Sequence, residues 1–258
     1  MRRLALLALP VVLAVCAGCG GSDTSGPARA AAPTVERLGA GADEVWLFRP
    51  ARAPRAVVVF LHGLGGAREA TPANHRAWID HLVARGSAVV YPRYEAEPGG
   101  LRPMGHVLAA VDAAERRLAA GGTPVVAIGF SRGGRLAVEY AASSGTAGLT
   151  RPAAVLAVFP GALSPIEENV GLDFIDPDTE IRILIGDADR DVAAEGARGL
   201  IERLRDVGFP AANVGVAVVR SRGAFVAHHL APLEDTAAAR AAFWAPADRV
   251  IDDAVAAG

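Results

Sequence analysis

The chain has 258 residues, of which 52% are hydrophobic, so it is long enough to bury a full core in one domain. Its net charge of −2 gives no electrostatic footprint for nucleic acid, and we predict no nucleic-acid partner. Every basic side chain apart from histidine is arginine. The absence of lysine excludes a lysine-dependent phosphate-binding loop, a Schiff-base enzyme and a Ser-Lys dyad.

The amino-terminal segment has the organisation of an export signal. Arg2 and Arg3 precede an apolar stretch, Leu4 to Val15, which is too short to span a bilayer as a helix. The sequence Ala17-Gly18-Cys19 then resembles the end of a bacterial lipobox, in which Cys19 carries the lipid. The departure from that pattern is Cys16, where leucine is usual.

These features divide the chain into three predicted regions. Residues 1–19 are a signal peptide with a lipobox-like end, residues 20–33 a flexible tether rich in glycine and serine, and residues 34–258 one folded domain. We expect the protein to be exported and anchored to the bacterial envelope membrane through Cys19; an ordinary cleaved secretory signal is the alternative. Both cysteines lie in the leader, so the folded domain contains no disulfide and no thiol nucleophile.

Strand and helix signals alternate along the rest of the chain. Apolar runs predict strands at 44–48, 56–61, 87–91, 124–128, 154–159, 180–185 and 214–219. Amphipathic spacing and terminal signals predict helices at 72–84, 103–120, 132–142, 193–207 and 237–256, the last interrupted at Pro246. Continuous apolar strands alternating with helices are typical of α/β proteins, so we predict a mostly parallel central sheet with helices on both faces.

The motif that indicates chemistry is Gly129-Phe130-Ser131-Arg132-Gly133, which lies between a predicted buried strand and a predicted helix. Small residues on both sides of Ser131 allow strand and helix to approach closely, and the sharp turn exposes the hydroxyl. G-x-S-x-G occurs by chance in many chains, but its position at a strand-to-helix turn predicts a serine nucleophile. Such a nucleophile needs a base, and the base needs an orienting acid.

The candidate acid follows a later strand. The segment Gly186-Asp187-Ala188-Asp189-Arg190-Asp191-Val192 comes directly after a predicted strand, at the edge where sites form in parallel sheets. The three aspartates also mimic the start of a calcium loop, but Val192 replaces the required glycine and Arg198 the required glutamate. We therefore predict no metal, and no cofactor is implied either.

Together with HGLGG at His62–Gly66 and the order of these motifs, the chain resembles the α/β-hydrolase family over nearly the whole predicted domain. The resemblance implies an α/β-hydrolase fold and the chain order Ser, Asp, His. It points to Asp189 as the acid, with Asp191 as the competitor and Asp187 as a cap of the next helix or turn.

The family places its catalytic histidine shortly after the last strand. Residues 220–225 contain none, and His228 and His229 follow. Since an apolar or aromatic residue often comes just after the base, and Leu230 follows His229, the resemblance favours His229 and leaves His228 as the alternative.

The resemblance also implies an oxyanion hole made by the backbone amides of Leu64 and Arg132. His62 is predicted to brace its loop. A dinucleotide fingerprint in that loop does not fit, because Arg68 stands where the third glycine is required. The Arg132 side chain either contacts an acidic substrate, points to solvent or packs against the fold.

The connection from Pro160 to Thr179 is too short for a large lid, so we expect an open site that accepts a small ester or a polymer end. Phe174 and Ile175 either line an acyl pocket or pack this connection onto the core. The predicted activity is ester hydrolysis through a Ser-His-Asp triad. The alternatives are an envelope acyltransferase with the same triad, a peptidase, and a catalytically degenerate surface binding protein.

Overall fold

The structure is a computed structural model that describes residues 32–65, 71–95, 101–119, 121–190 and 193–258. Its strands are β1 (Thr34–Leu38), β2 (Val45–Arg49), β3 (Ala56–Leu61), β4 (Ser87–Pro92), β5 (Val125–Phe130), β6 (Pro152–Val158), β7 (Glu180–Gly186) and β8 (Val214–Val219). The predictions for the leader and for lipidation of Cys19 fall outside the described residues.

The described strands form one eight-stranded sheet in the order β1-β2-β4-β3-β5-β6-β7-β8. Strands β1 and β2 are antiparallel to their neighbours, and every other pairing is parallel. The predicted mostly parallel sheet is confirmed. Strand β1 was not predicted, because it lies at the edge and most of its side chains are exposed, so it has no continuous apolar run.

Helices cover both faces of the sheet, as predicted. They are α1 (Arg76–Ala84), α2 (Pro103–Leu118), α3 (Arg132–Ser144), α4 (Ala193–Asp206), α5 (Ala237–Ala239) and α6 (Ala245–Ala257). One buried cluster joins the sheet to α2, α3 and α4, and a second joins its other face to α1 and α6. The second cluster contains the large fully buried rings of Trp78 and Phe243.

The helix ends differ slightly from the prediction for local reasons. Helix α2 stops at Leu118 because Ala119 takes a left-handed conformation with φ of 48°. The carboxyl-terminal helix is interrupted over Arg240–Trp244 by a π-helical turn, and Pro246 stands in the first turn of the segment that follows.

The connection between β6 and β7 carries no helix. Residues 159–179 are all described and form turns and extended backbone, in agreement with the predicted absence of a large lid. No helix among the described residues has the length and apolar character needed to cross a membrane.

A matched pair of glycines in α4 tests how closely this helix approaches the connection that follows β6. A Cβ at Gly196 would collide with the backbone of Pro160 and Gly161, whereas a Cβ at Gly199 would meet nothing within 4 Å. We expect Gly196→Ala to lower the free energy of unfolding by about 2 kcal/mol or more, and Gly199→Ala to raise it by roughly 0.5–1 kcal/mol. Urea unfolding of both variants measures the difference, and equal effects would contradict the close contact.

Candidate active site

Ser131 stands in the turn between β5 and α3. Its φ of 55° and ψ of −125° are strained for a residue with a side chain. Its N–H donates to Val158 O at 2.9 Å, and its carbonyl accepts from the Gly161 N–H at 2.9 Å. The neighbouring backbones therefore fix the strained turn from both sides.

Two glycines make this turn possible. A Cβ at Gly129 would collide with the backbone of Gly133, and a Cβ at Gly133 would collide with the carbonyl groups of Leu61 and His62. Only residues without a side chain allow α3 to lie this close to β5 and to the end of β3. This contact places Ser131 at the carboxyl edge of the sheet, between the end of β5 and the start of α3.

The structure brings Ser131 together with His229 and Asp189. His229 Nε2 is 2.9 Å from Ser131 Oγ, and His229 Nδ1 is 2.7 Å from Asp189 Oδ2. The Asp189 side chain is fully buried, while that of His229 is partly exposed. In the tautomer with a proton on Nδ1, His229 donates to Asp189 and accepts from the Ser131 hydroxyl.

The alternative residues are placed differently. His228 turns away from Ser131: its Nδ1 accepts from the Leu230 N–H at 3.1 Å, and its Nε2 is 3.3 Å from Glu234 Oε1. Asp191 lies outside the described residues. Of the two adjacent histidines, it is His229 whose ring contacts the serine.

Asp187 contacts the loop that follows β8. Residues 191 and 192, which precede the next helix, lie outside the described residues, so capping of that helix by Asp187 stays a prediction. The Asp187 carboxylate accepts the Ser221 N–H at 3.0 Å and the Ser221 hydroxyl at 2.6 Å, and Ser221 Oγ in turn accepts from the Ala227 N–H at 3.0 Å. These hydrogen bonds hold the loop that carries His229 against the end of β7. The hydrogen bonds from Ser221 lower the pKa of Asp187.

The loop after β3 is braced by His62, as predicted. The buried imidazole has Nδ1 2.7 Å from Gly63 O and Nε2 2.9 Å from Arg93 O. It stacks on Tyr94 with ring centroids 4.1 Å apart, and the Tyr94 hydroxyl donates to His62 O. The stack holds the loop that contains Leu64 beside the nucleophile.

The two predicted oxyanion donors flank Ser131. Arg132 is the first residue of α3, so its N–H has no acceptor inside the helix. Leu64 follows Gly63, where a Cβ would lie 3.2 Å from Ser131 Cβ. The Arg132 amide is thus next to Ser131 along the chain, and the Leu64 amide belongs to a loop that lies beside it in space.

The side chain of Arg132 belongs to a buried network of charges, not to a substrate pocket. Its guanidinium pairs with Glu95 and, at 3.1 Å, with Glu167 Oε1. Glu167 also pairs with Arg135, which contacts both oxygens of Glu139 at 2.8 and 2.9 Å.

The network ends at α4, where Arg203 Nη1 lies 2.9 Å from Glu139 Oε1. Charges alternate along it from Glu95 to Arg203, and the α3 members stand three and four residues apart on one helix face. Burial raises the pKa of Glu139, and the guanidinium groups of Arg135 and Arg203 oppose this shift. The sequence analysis did not identify these partners, which come from two distant loops and from α4.

The two candidate acyl-pocket residues lie elsewhere. Ile175 is buried in the core cluster of α2, α3 and α4. Phe174 is exposed and lies two residues before Asp176, which pairs at 3.8 Å with Arg151, the residue before β6. Thr179 Oγ1 donates to Pro152 O at 2.9 Å, so this stretch returns to the amino ends of the strands, away from Ser131.

The described residues contain no cluster of three or more histidine, cysteine, aspartate or glutamate side chains placed to hold a metal ion. At Ser131 the structure places a hydroxyl, an imidazole and a carboxylate in one line of hydrogen bonds. Arranged in this way, they can move a proton from a hydroxyl to an imidazole.

No protein-family model matches the sequence, and no curated protein is significantly similar to it. Solved structures do match. Carboxyl esterase 2 from the mycorrhizal fungus Tuber melanosporum is 17% identical, with 90% of this chain and 89% of that chain covered and a TM-score of 0.63. Esterase B from Lactobacillus rhamnosis, in a structure with a tributyrin phosphonate, is 16% identical, with 88% of each chain covered and a TM-score of 0.66.

A third similar structure is MGS-M1, an α/β-hydrolase enzyme from a Medee basin deep-sea metagenome library. It is 18% identical, with 87% of this chain and 98% of that chain covered and a TM-score of 0.60. At these identities the likeness concerns the fold.

The buried network can be tested at Glu167, which bridges two arginines. We expect Glu167→Ala to lower the free energy of unfolding by about 3 kcal/mol, because it leaves buried guanidinium charge undercompensated. Glu168→Ala is the control, since its side chain is exposed and only its backbone N–H bonds to Leu101 O. Chemical denaturation compares them, and similar values for the two variants would contradict the role of the network.

The bonds to Asp187 predict a pH dependence of stability. Since the folded pKa of Asp187 is lowered, its stabilising effect is present above the unfolded pKa of about 3.9 and is lost as pH falls through the folded pKa. We expect the melting temperature of Asp187→Asn to fall below that of the wild type by a constant amount at pH 5 to 7, and this gap to close towards pH 3. Asp178→Asn, an exposed aspartate, should show no such gap.

Proposed function

Because the chain has the α/β-hydrolase fold, we propose that it hydrolyses carboxylic esters, with Ser131 as nucleophile, His229 as general base and Asp189 as orienting acid. The observation that carries this proposal is the line of hydrogen bonds from Asp189 through His229 to Ser131, at 2.7 and 2.9 Å. The esterases among the similar structures support the same chemistry.

The reaction proceeds in two halves. His229 Nε2 takes the proton of Ser131 as Oγ forms a bond to the ester carbonyl carbon. The tetrahedral intermediate then collapses, the C–O bond to the alcohol breaks, and His229 gives the proton to the departing oxygen. Water attacks the acyl-enzyme with His229 again as base, and the acid leaves with Ser131 restored.

The negative charge that develops on the carbonyl oxygen needs fixed donors. The amides of Leu64 and Arg132 supply them, and the amino end of α3 adds its favourable dipole at the same place. The strained turn at Ser131 contributes by holding Oγ next to these groups before substrate arrives.

Burial defines the role of Asp189. Its carboxylate is fully buried and accepts the Nδ1 proton of His229. In such surroundings the interaction with an imidazolium is stronger than in water, so the acid both selects the tautomer and stabilises the charged base.

The absence of a helix in residues 159–179 favours an open site, which suits a small ester or a polymer end. The chemistry needs no cofactor. If Cys19 carries a lipid, the enzyme works at the surface of the bacterial envelope membrane. Acyl transfer to an alcohol in place of water remains the alternative with the same residues. The line of hydrogen bonds from Asp189 through His229 to Ser131 favours an enzyme over a binding protein.

Fluorophosphonate labelling tests the activated serine. We expect the purified protein to be labelled, Ser131→Ala not at all, and His229→Ala at least about 10³-fold more slowly because the base is lost. His228→Ala is the matched control, since its neighbouring ring does not face the serine, and it should label at close to the wild-type rate.

Mass spectrometry of the labelled peptide identifies the modified residue. A folded wild-type protein that does not label, or a His228→Ala variant as slow as His229→Ala, would contradict the proposed triad. Product analysis with an added alcohol separates hydrolysis from acyl transfer.

A further inference from the structure

Large apolar side chains are exposed around the candidate active site. Leu64 is 57% exposed, Leu101 50%, Ile166 73% and Leu230 55%. Single exposed leucines are common on protein surfaces and need no explanation. These four come from four separate connections, following β3, β4, β6 and β8. Connections that leave the carboxyl ends of parallel strands meet at the edge where Ser131 lies.

Two of the four adjoin residues that contact the nucleophile. Leu64 follows Gly63, where a Cβ would lie 3.2 Å from Ser131 Cβ. Leu230 follows His229, whose Nε2 is 2.9 Å from Ser131 Oγ. Leu64 and Leu230 are therefore each one residue along the chain from a residue that lies beside Ser131.

The other two adjoin the charged network. Ile166 precedes Glu167, whose Oε1 is 3.1 Å from Arg132 Nε. The carbonyl of Leu101 accepts from the Glu168 N–H at 2.9 Å, which places the two loops side by side. Both loops are thus fixed next to the first turn of α3.

The charge next to the nucleophile is already neutralised. The Arg132 guanidinium is buried and paired with Glu95 and Glu167, so an acidic substrate group would have to compete with two carboxylates for it. Among the described residues, the four exposed side chains offer a substrate apolar area beside this neutralised cation. We propose that Leu64, Leu101, Ile166 and Leu230 form an apolar collar that selects esters with an apolar chain on the acyl or the alcohol side.

This inference rests on the proposed function and names its substrate class. The collar is open, so a chain lies across it without being enclosed. A fully buried methylene group is worth about fourfold in binding. Because the collar covers the chain only in part, we expect each of the first few methylene groups to raise kcat/KM by about twofold.

The test is the dependence of kcat/KM on chain length. p-Nitrophenyl acetate, butyrate and octanoate vary the acyl side, and ethyl, butyl and octyl acetates vary the alcohol side, all below the concentrations at which they aggregate. We expect kcat/KM to rise by about tenfold or more from the shortest to the longest ester in at least one series.

Ile166→Asn and Leu101→Asn should flatten this rise at least about threefold, since they remove collar area without touching the triad. Val35→Asn is the control. Val35 is equally exposed, at 50%, but lies on the edge strand β1, four strands away from β5. It should keep the wild-type profile. Melting temperatures verify that each variant folds.

The outcomes separate the two proposals. Ester hydrolysis with a flat profile in both series, or a rise that Ile166→Asn and Leu101→Asn leave unchanged, overturns the collar alone. A preference for the shortest ester does the same. No hydrolysis of any ester, together with no labelling of Ser131, overturns the proposed function itself.

Discussion

The site depends on one steric constraint, the contact of α3 with the ends of β3 and β5. This contact leaves no room for a Cβ at Gly129 or Gly133. With both backbones this close, the residue between them has to take a left-handed φ, and its side chain projects from the sheet edge. The same contact places the first amide of α3 next to the Ser131 hydroxyl. A strained turn of this kind persists because the surrounding strands and hydrogen bonds determine it from several sides.

The buried network of Glu95, Arg132, Glu167, Arg135, Glu139 and Arg203 complements this constraint. It connects α3 to the loop after β4, to the long connection after β6 and to α4. Burying an isolated charge costs free energy. Because positive and negative side chains alternate in this network, each buried charge has an oppositely charged neighbour. Because Glu95 and Glu167 neutralise the cation beside the nucleophile, we expect the electrostatics at the reacting atoms to come from the Asp189 carboxylate, backbone amides and the helix end. The proposed collar of Leu64, Leu101, Ile166 and Leu230 would then give the entrance an apolar lining.

Two aspartates after the same strand show how burial separates roles. Asp189 is buried and contacts the imidazole of His229, whereas Asp187 is exposed and holds the turn at Ser221. The first belongs to the proposed chemistry, and the second keeps the histidine loop in position. They are two residues apart and identical in type, so their difference comes from the direction in which the backbone leaves β7.

The sequence by itself determined most strands and helices, the turn that carries Ser131 and the chain order of the candidate residues. These features depend on local patterns: apolar runs, helical spacing, and glycines where backbones approach. Strand β1 was not predicted, because this edge strand has no continuous run of buried apolar residues. Only the tertiary structure decided that His229, not its neighbour His228, faces the serine, and that Arg132, Arg135 and Glu139 are buried. Those outcomes depend on partners far along the chain, such as Glu95 and Asp189, whose positions are set by the packing of the whole sheet.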